Sequence, residues 1–282
     1  WLDKLADGIE ESIKHKSLTG KIISGKDNGG FSGDIDLWYK QDVFYNFFLN
    51  SPCSEYAEQV LNSQVVRHFY DQTFVKPAGC HLATPWHHDI TFWPVDLKKN
   101  NICSIWITLD QVTKETSGLE FIKGSHLWDN YWKSYAPGSE ALVNKSHEDL
   151  PDIDSLRSSH EFFSPEMQPG DALIFNAHIV HGSSSNLSLD KPRRAFTSRW
   201  CDDKTVFEDR IKTKPITASH NLKNGDFLSG PLFPQVRPNV IESELSLRNR
   251  GPIKFSKSKF LKDRIFKDFA GFFSFKNLIN LR

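Results

Sequence analysis

The chain has 282 residues, enough for one large domain or two small ones, and its 35 Lys and Arg residues balance its 35 Asp and Glu residues. A formal net charge of zero does not attract a polyanion, so we expect no nucleic acid partner. A hydrophobic content of 38% with 13% aromatic residues excludes the composition of a disordered chain. We predict a packed globular protein with a single domain.

The cysteines and the lack of long apolar runs indicate the compartment. Four cysteines are widely spaced and form no CxxC pair, which argues against a zinc cage or a dense disulfide framework: Cys53, Cys80, Cys103 and Cys201. A reducing compartment is the simpler explanation. No apolar run approaches the roughly 20 residues of a membrane helix, and the charged N-terminus does not resemble a signal peptide. We predict a cytoplasmic protein, and since the chain begins with Trp1 rather than Met, we expect that a preceding segment has been removed.

Residues 1–64 are predicted to form a helical support. Four apolar residues recur at helical spacing near the start: Leu2, Leu5, Ile9 and Ile13. They predict an amphipathic helix up to about Lys16, which the turn-forming segment GKDNGGFSGD ends. Pro52 then separates an aromatic helical turn from a second helix over about 54–61. We expect both to pack on one face of a sheet.

Residues 65–238 have the pattern of a β-rich core. Short apolar runs are separated by Pro, Gly and Asn segments: QVVRHFY, DQTFVK, ICSIWITLD, GLEFIKGSH, DALIFNAHIVHGS and RRAFTSRWCDD. This pattern is typical of a sandwich or barrel of short antiparallel strands. No repeat of fixed period is present, which disfavours a solenoid or propeller. The expected fold class is therefore mainly β with flanking helices.

Two segments differ from this core in composition. The polar insert at about 129–160 is too long for an ordinary loop and predicts either a lid, partly helical, over a site or a surface decoration. The tail, residues 239–282, is basic and carries apolar residues at helical spacing: Leu261, Ile265, Phe269 and Phe272. Such a helix can lie on an anionic membrane. We favour docking onto the chain's own barrel or onto a second subunit, as in a homo-oligomer.

The stretch TPWHHDITFW suggests a metal site. On a strand, side chains two residues apart share a face, so His87 and Asp89 can converge while His88 points away. One imidazole and one carboxylate are two thirds of the 2-His-1-carboxylate triad that holds Fe(II). The segment PGDALIFNAHIVHGSSSN offers His178 and His181 as the third ligand. By itself an HxD pair is more often a core pair, but the surrounding motifs strengthen the metal interpretation.

Those motifs resemble the phytanoyl-CoA dioxygenase family of iron- and 2-oxoglutarate-dependent oxygenases. The resemblance covers about Leu37 to Pro238 and rests on DQTFVKPAG, TPWHHD, SIWITLDQVTKETSGLEFIKGSHLW, PGDALIFNAHIVHGSSSN and RRAF, in family order. It implies a double-stranded β-helix, a cupin-like jelly roll. It also implies that His87, Asp89 and His181 are the iron ligands.

The resemblance further implies a site for 2-oxoglutarate, whose distal carboxylate would meet Arg193. Trp106 and Gln72 match positions that line this co-substrate, although Trp106 also fits plain core packing. Ser183 could add a hydrogen bond to it or could simply stabilise a turn. The spacing from His181 is one residue longer than the family pattern, and Arg194 follows Arg193 at once.

Only one of the two adjacent arginines can reach the pocket, because consecutive strand residues face opposite sides. We favour Arg193, which stands two residues before an alanine as in R-x-A. A guanidinium suits a carboxylate because it donates two parallel hydrogen bonds.

We predict an Fe(II)- and 2-oxoglutarate-dependent dioxygenase that uses dioxygen to hydroxylate an unactivated C–H bond of a small-molecule metabolite. Two alternatives are a cupin-like metalloenzyme without 2-oxoglutarate and a non-catalytic jelly-roll binding protein. By family analogy, the substrate could be an acyl thioester, an amino-acid-like solute, a phosphonate or a natural-product scaffold. Trp86, Phe92 and Trp93 could form an apolar wall near the HxD strand, and Arg199 could meet an anion.

Overall fold

The computed structural model describes residues 1–15, 30–133, 147–210, 213–214, 218 and 220–250. Within these residues three α-helices precede the strands: α1 (Leu2–Lys14), α2 (Asp42–Asn50) and α3 (Cys53–Leu61). Nine strands follow: β1 (Val66–Lys76), β2 (Thr84–His87), β3 (Ile102–Thr108), β4 (Leu119–Ile122), β5 (Phe162–Phe163), β6 (Ala172–Asn176), β7 (His181–Ser183), β8 (Arg193–Cys201) and β9 (Gln235–Arg237). Short 3-10 helices are formed by Asp89–Phe92, Ser125–Leu127, Asp154–Ser158 and Glu242–Arg250.

The strands form two antiparallel sheets. The major sheet has five strands in the order β6-β3-β8-β1-β9, and the minor sheet has four in the order β2-β7-β4-β5. The longest strands, β1 and β8, pair in the middle of the major sheet, whereas the minor sheet is made of strands of two to four residues. The minor sheet is therefore held together by far fewer pairs of hydrogen-bonded residues than the major sheet.

The two faces of β8 differ in chemistry. Antiparallel pairing places residues of one face opposite residues of the same face on the next strand. Thus Thr197 lies opposite both Gln72 of β1 and Trp106 of β3. The same face of β8 carries Arg193 and Arg199. This is the inner face of β8, which lines the space between the sheets.

The helices cover the opposite face of the major sheet. α2 contributes Phe44 and Phe47, which pack against Phe196 of β8 at ring-centroid distances of 5.1 and 5.2 Å. Gly8 of α1 lies so close to α2 that an added Cβ would be 2.4 Å from a methyl group of Val43. The expected packing of helices on one face of a sheet is therefore observed.

Several sequence predictions differ in detail from the structure. The first helix ends at Lys14, and the helix after Pro52 begins at Cys53. QVVRHFY and DQTFVK, predicted as separate runs, form one strand, β1, because nothing between them breaks the alternation. Of the predicted insert at about 129–160, residues 134–146 lie outside the described residues, and the described remainder includes the 3-10 helix Asp154–Ser158. The predicted tail helix falls on residues 251–282, which also lie outside the described residues.

All four cysteines are buried and free, as their spacing predicts. Over the described ranges, none of the helices combines the length and apolar character that crossing a membrane requires.

Candidate metal centre and co-substrate pocket

His87, Asp89 and His181 come together at the edge of the minor sheet. One ligand atom from each residue lies within 4.8 Å of the others. His87 and His181 are paired across β2 and β7, and their ring centroids are 4.3 Å apart. Two imidazoles and one carboxylate at this separation form the donor set that suits Fe(II) with open coordination positions.

His87 and Asp89 converge because of a turn, and not because they share one face of a strand as predicted. His87 is the last residue of β2, but Asp89 begins a 3-10 helix rather than continuing the strand. The turn brings Oδ1 of Asp89 to 3.6 Å from Nε2 of His87. The expectation of one continuous strand is therefore wrong, although the two side chains do meet and His88 does point elsewhere.

Both histidines are held in the same tautomer by backbone carbonyls. Nδ1 of His87 lies 2.7 Å from the carbonyl oxygen of Pro85, and Nδ1 of His181 lies 3.1 Å from that of Ile179. A carbonyl oxygen only accepts, so each Nδ1 carries a proton and each Nε2 is the ring nitrogen left to face a metal. This is the arrangement in which a partner on one ring nitrogen orients the other toward a metal.

Electrostatics keep the donors in their metal-binding forms. Burial alone would raise the pKa of Asp89, but the His87 imidazole and the charge of Arg199 hold that pKa well below its usual range. Burial, together with the neighbouring His87, lowers the pKa of His181 to about 4. At neutral pH the cluster therefore offers an ionised carboxylate and a neutral imidazole at His181.

Hydrophobic rings enclose this cluster. Phe121 stacks on His181 at 5.6 Å, and Phe175 lies 5.1 Å from the same ring. Phe92 meets His87 edge-on at 5.7 Å. Ser104 of β3 donates a long hydrogen bond of 3.4 Å from its Oγ to Oδ2 of Asp89. The site is thus closed by aromatic groups on one side and joined to the major sheet on the other.

The other two candidate histidines have different partners. Nε2 of His88 accepts a hydrogen bond of 3.1 Å from the backbone N–H of Trp132. Nε2 of His178 lies 3.1 Å from the side-chain oxygen of Asn100. Neither belongs to the three-residue cluster.

A second polar site lies farther along the inner face of β8, around Arg193. The side chain is 2% exposed, and its guanidinium carbon lies 5.7 Å from the ring centroid of Trp106. Nε of Arg193 has no hydrogen-bond partner among the described residues. A buried guanidinium with an unpaired donor fits an anion that the chain does not itself supply.

Arg194 has the opposite orientation. Its guanidinium donates to both carboxylate oxygens of Asp110, at 3.1 and 2.8 Å, and its Nη1 lies 3.6 Å from Glu10. These partners lie on the outer side of the sheet, near α1. Arg194 is therefore neutralised by carboxylates of the chain, whereas Arg193 is not among the ion pairs of the described residues.

Sequence reasoning missed Lys76, which lies opposite Arg193 on β1. Its Nζ lies 2.9 Å from each of Ser117 Oγ, Ser183 Oγ and the carbonyl oxygen of Ser184, and it donates to all three when protonated. Burial, together with the neighbouring Arg193, lowers the pKa of Lys76 to about 6. The alternation of Gln72 and Lys76 on β1 was the available signal, since both share the inner face.

A buried hydroxyl connects the two sites. Thr197 is fully buried, and its Oγ1 has no hydrogen-bond partner in the described part of the chain. It lies between Gln72 and Trp106 in a row across three strands. Arg193, Thr197 and Arg199 therefore give the inner face of β8 three side chains with unpaired polar atoms.

Comparison with known proteins identifies the family. A model of the phytanoyl-CoA dioxygenase (PhyH) family matches residues 1–195, which is more than half of the chain. The chain belongs to the phytanoyl-CoA dioxygenase family.

Curated relatives match a shorter region. A probable phytanoyl-CoA dioxygenase of Caenorhabditis elegans is 28% identical over 119 residues, which are 42% of this chain and 36% of the relative. The ectoine dioxygenase of Sphingopyxis alaskensis is 26% identical over 118 residues, which are 39% of each protein. The matches thus span little more than a third of the length of these relatives.

Solved structures share the fold over most of the chain. The non-heme alpha ketoglutarate dependent carbocyclase SnoK from nogalamycin biosynthesis has a TM-score of 0.66 at 21% identity, covering 83% of this chain and 87% of SnoK. EctD from S. alaskensis with 2-oxoglutarate and 5-hydroxyectoine has a TM-score of 0.59 at 16% identity, covering 76% of this chain and 73% of EctD. The epimerase SnoN, in complex with Fe3+ and alpha ketoglutarate, has a TM-score of 0.65 at 20% identity, covering 83% of this chain and 88% of SnoN. At these identities the similarity shows the fold alone, and it confirms the predicted mainly β, cupin-like class.

Proposed function

We propose that this protein is an Fe(II)- and 2-oxoglutarate-dependent dioxygenase that hydroxylates an unactivated C–H bond of a small-molecule metabolite. The observation that carries the proposal is that the His87, Asp89 and His181 cluster and the buried guanidinium of Arg193, whose Nε is unpaired among the described residues, both lie beside the inner face of β8. The cluster fits a metal ion with open coordination positions, and the Arg193 guanidinium fits one carboxylate of a dicarboxylate whose other end reaches that metal.

His87, Asp89 and His181 would hold the metal. Their fit rests on the Nε2 atoms of the two histidines, which the carbonyl contacts of Nδ1 leave to face a metal, and on the low pKa of the Asp89 carboxyl. Three protein ligands leave positions for a chelating co-substrate and dioxygen. When bound, Fe(II) and 2-oxoglutarate together supply the activation of dioxygen, with release of succinate and carbon dioxide.

Arg193 would bind the distal carboxylate of 2-oxoglutarate. Lys76 would add a second positive group, and Ser183, which accepts a hydrogen bond from Lys76, would line the same end of the pocket. Trp106 and Gln72 would flank the chain of the co-substrate, with Thr197 Oγ1 offering a hydrogen bond between them. The buried side chains of Arg193, Trp106 and Thr197 would position the co-substrate and exclude water from it.

The alternative of a metalloenzyme without a co-substrate leaves Arg193 unexplained, because an unpaired buried guanidinium is costly. A non-catalytic binding protein would not need a complete set of three ligands. Asp89 further favours hydroxylation over halide transfer, since a carboxylate occupies the coordination position that a halide would need.

The compartment and assembly follow from simpler features. Four buried, free thiols support a reducing compartment, and we place the protein in the cytoplasm. Its partner is a small-molecule substrate, and for the tail our proposal remains docking onto the chain's own barrel or onto a second subunit.

The decisive experiment measures substrate-dependent succinate from 2-oxoglutarate across a panel of acyl thioesters, amino-acid-like solutes, phosphonates and polycyclic natural products. The matched controls are His181→Ala and His178→Ala, which remove a cluster histidine and a nearby histidine bonded to Asn100. Succinate from the wild type and His178→Ala, but not from His181→Ala, supports the proposal. Failure of Fe(II)-loaded wild-type protein to bind 2-oxoglutarate would refute it.

A second measurement tests the reaction type. With a substrate in hand, turnover under labelled dioxygen in the presence of chloride is followed by product mass. A gain of one labelled oxygen supports hydroxylation. Loss of two hydrogens would indicate desaturation, and a chlorinated product would contradict the argument from Asp89.

A further inference from the structure

Arg199 is a buried cation beside the metal cluster. Its side chain is on the inner face of β8 and is 4% exposed. Its Nε lies 3.8 Å from Oδ2 of Asp89, which is beyond hydrogen-bond distance. Neither Nε nor Nη1 of Arg199 has a hydrogen-bond partner in the described part of the chain. Unpaired buried donors are destabilising, so the position fits a ligand from outside the chain.

Aromatic rings hold this guanidinium in place. Its central carbon lies 4.4 Å from the ring centroid of Tyr70 and 5.6 Å from that of Trp93. Trp93 donates a hydrogen bond of 2.8 Å from Nε1 to the hydroxyl of Tyr70, which fixes the two rings relative to each other. Stacking on aromatic faces orients the planar fork without using its N–H donors. The donors are therefore oriented before a ligand arrives.

The nearby carboxylates already have other partners. Asp36 accepts hydrogen bonds of 3.2 and 3.1 Å from Nζ of Lys214. Asp89 belongs to the metal cluster, where a bound cation would take its charge. Lys214 itself lies 4.5 Å from the Tyr70 ring centroid, on the same aromatic group as Arg199. The two side-chain cations and two carboxylates balance in the metal-free chain, so a cation bound at the cluster makes the region around Arg199 positive.

Arg199 is separate from the anion site at Arg193. The two residues are six positions apart on one strand, which corresponds to roughly 20 Å between their Cα atoms. Arg199 is the one that approaches Asp89, whereas Arg193 lies beside Lys76 at the other end of the strand. The inner face of β8 thus carries an arginine at each end.

We propose that Arg199 is a second anion-binding residue, which binds a carboxylate beside the metal cluster. This inference rests on the proposed function for its setting. The carboxylate has two sources, the primary substrate or the keto-acid end of 2-oxoglutarate, and both offer the planar pair of oxygens that a guanidinium binds with two hydrogen bonds.

The first test uses thermal unfolding of the metal-free protein. Arg199→Gln removes a guanidinium whose ion pair with Asp89 is long, at 3.8 Å, and whose Nε and Nη1 have no hydrogen-bond partner among the described residues, so its melting temperature should fall less than that of the control. The control is Arg67→Gln, which removes a buried arginine bonded to Phe233 O and Glu244 and should therefore lower the melting temperature. A lower melting temperature for Arg199→Gln, of the size seen for Arg67→Gln, would assign Arg199 a structural role and overturn the proposal.

The second test uses calorimetric titration of Fe(II)-loaded protein without oxygen. The ligands are 2-oxoglutarate and 2-oxobutyrate, which share the keto-acid end but not the distal carboxylate. If Arg199→Gln lowers the affinity for both ligands by about 30-fold or more, the carboxylate that Arg199 binds is that of the keto-acid end. Arg193→Gln should instead weaken only 2-oxoglutarate, which separates the two anion sites.

The third test addresses the primary substrate. Protein saturated with Fe(II) and 2-oxoglutarate, or with Fe(II) alone if 2-oxoglutarate does not bind, is titrated with a panel of carboxylic acids and their primary amides. Binding of an acid, but not its amide, to the wild type and its loss in Arg199→Gln identifies the substrate as the source. If Arg199→Gln changes only metal affinity, or changes no ligand in either titration, the proposal is wrong. Failure of wild-type protein to bind 2-oxoglutarate would refute the proposed function instead, and the acid panel would still decide the role of Arg199.

Discussion

Lys76 and Arg193 lie directly opposite each other on adjacent antiparallel strands, and both side chains are buried. Neither forms an ion pair with a carboxylate of the described residues. Two positive side chains on paired residues repel each other strongly in a low-dielectric interior. The repulsion favours the neutral form of the lysine, which has lost a proton. The pair is therefore prepared to gain both a carboxylate and a proton.

Binding of 2-oxoglutarate should thus be accompanied by proton uptake. Since burial and Arg193 lower the pKa of Lys76 to about 6, the amine is mostly neutral at pH 8 in the free protein. A bound carboxylate raises that pKa, so up to about one proton is taken up. Calorimetry in buffers of different ionisation enthalpy measures this number. Lys76→Met should abolish the uptake, whereas the exposed Lys123→Met should preserve it, and an absence of buffer dependence in the wild type would contradict the prediction.

Arg193→Gln should weaken 2-oxoglutarate binding strongly, because the substitution leaves a carboxylate without its charged partner in a closed pocket. The expected loss is roughly 2–5 kcal/mol. Arg194→Gln should have little effect, because that guanidinium is bonded to Asp110 on the outer side of the sheet. Dissociation constants of the metal-loaded variants test the ranking. The opposite order would reassign the role to Arg194, and indifference to both would argue against 2-oxoglutarate as a ligand.

Replacing His87, Asp89 or His181 by Ala should greatly reduce metal affinity while the fold persists. The loss should exceed the roughly 10–100-fold change caused by losing an outer hydrogen-bond partner of a metal ligand. His178→Ala is the control. Metal content after dialysis and far-ultraviolet circular dichroism measure the two properties. Retention of metal by His181→Ala and its loss from His178→Ala would show that the third ligand has been misassigned.

His68 should make the protein less stable in acid. It is fully buried among Trp38, Phe48 and Trp200, both ring nitrogens lack a hydrogen-bond partner in the described residues, and burial lowers its pKa to about 3. Between about pH 6.5 and 3 the unfolded chain binds a proton that the folded chain does not, so this contribution to stability falls as the pH falls. At pH 5 the loss is about 2 kcal/mol relative to neutral pH.

Urea unfolding at pH 7.5 and pH 5 tests this contribution. His68→Leu should reduce the difference in unfolding free energy between the two pH values by about 2 kcal/mol. The exposed His126→Gln should leave the difference unchanged. An equal difference in the wild type and His68→Leu would mean that other groups cause the acid sensitivity.

Strand alternation predicted much of the cavity, because a local rule decides which face a side chain takes. It separated Arg193 from Arg194 correctly in orientation, whereas Trp106 and Gln72, which the family resemblance assigned, lie opposite Thr197 of the same face. It failed at Asp89, where a 3-10 turn replaces the strand. The rule also overlooked Lys76, since its surroundings depend on a strand far along the chain.

The minor sheet should be the part of the molecule that opens first in native-state hydrogen exchange. Its strands β2 and β7 share only the pairs Thr84 with Ser183 and His87 with His181, and their register is irregular between them. The long pairing of β1 with β8 gives the major sheet far more protection. A cation that joins His87 to His181 bridges these two short strands, so it would raise the free energy of this local opening without changing the exchange of the major sheet. Iron supply would then govern how often the active cavity exposes its backbone to solvent and proteases.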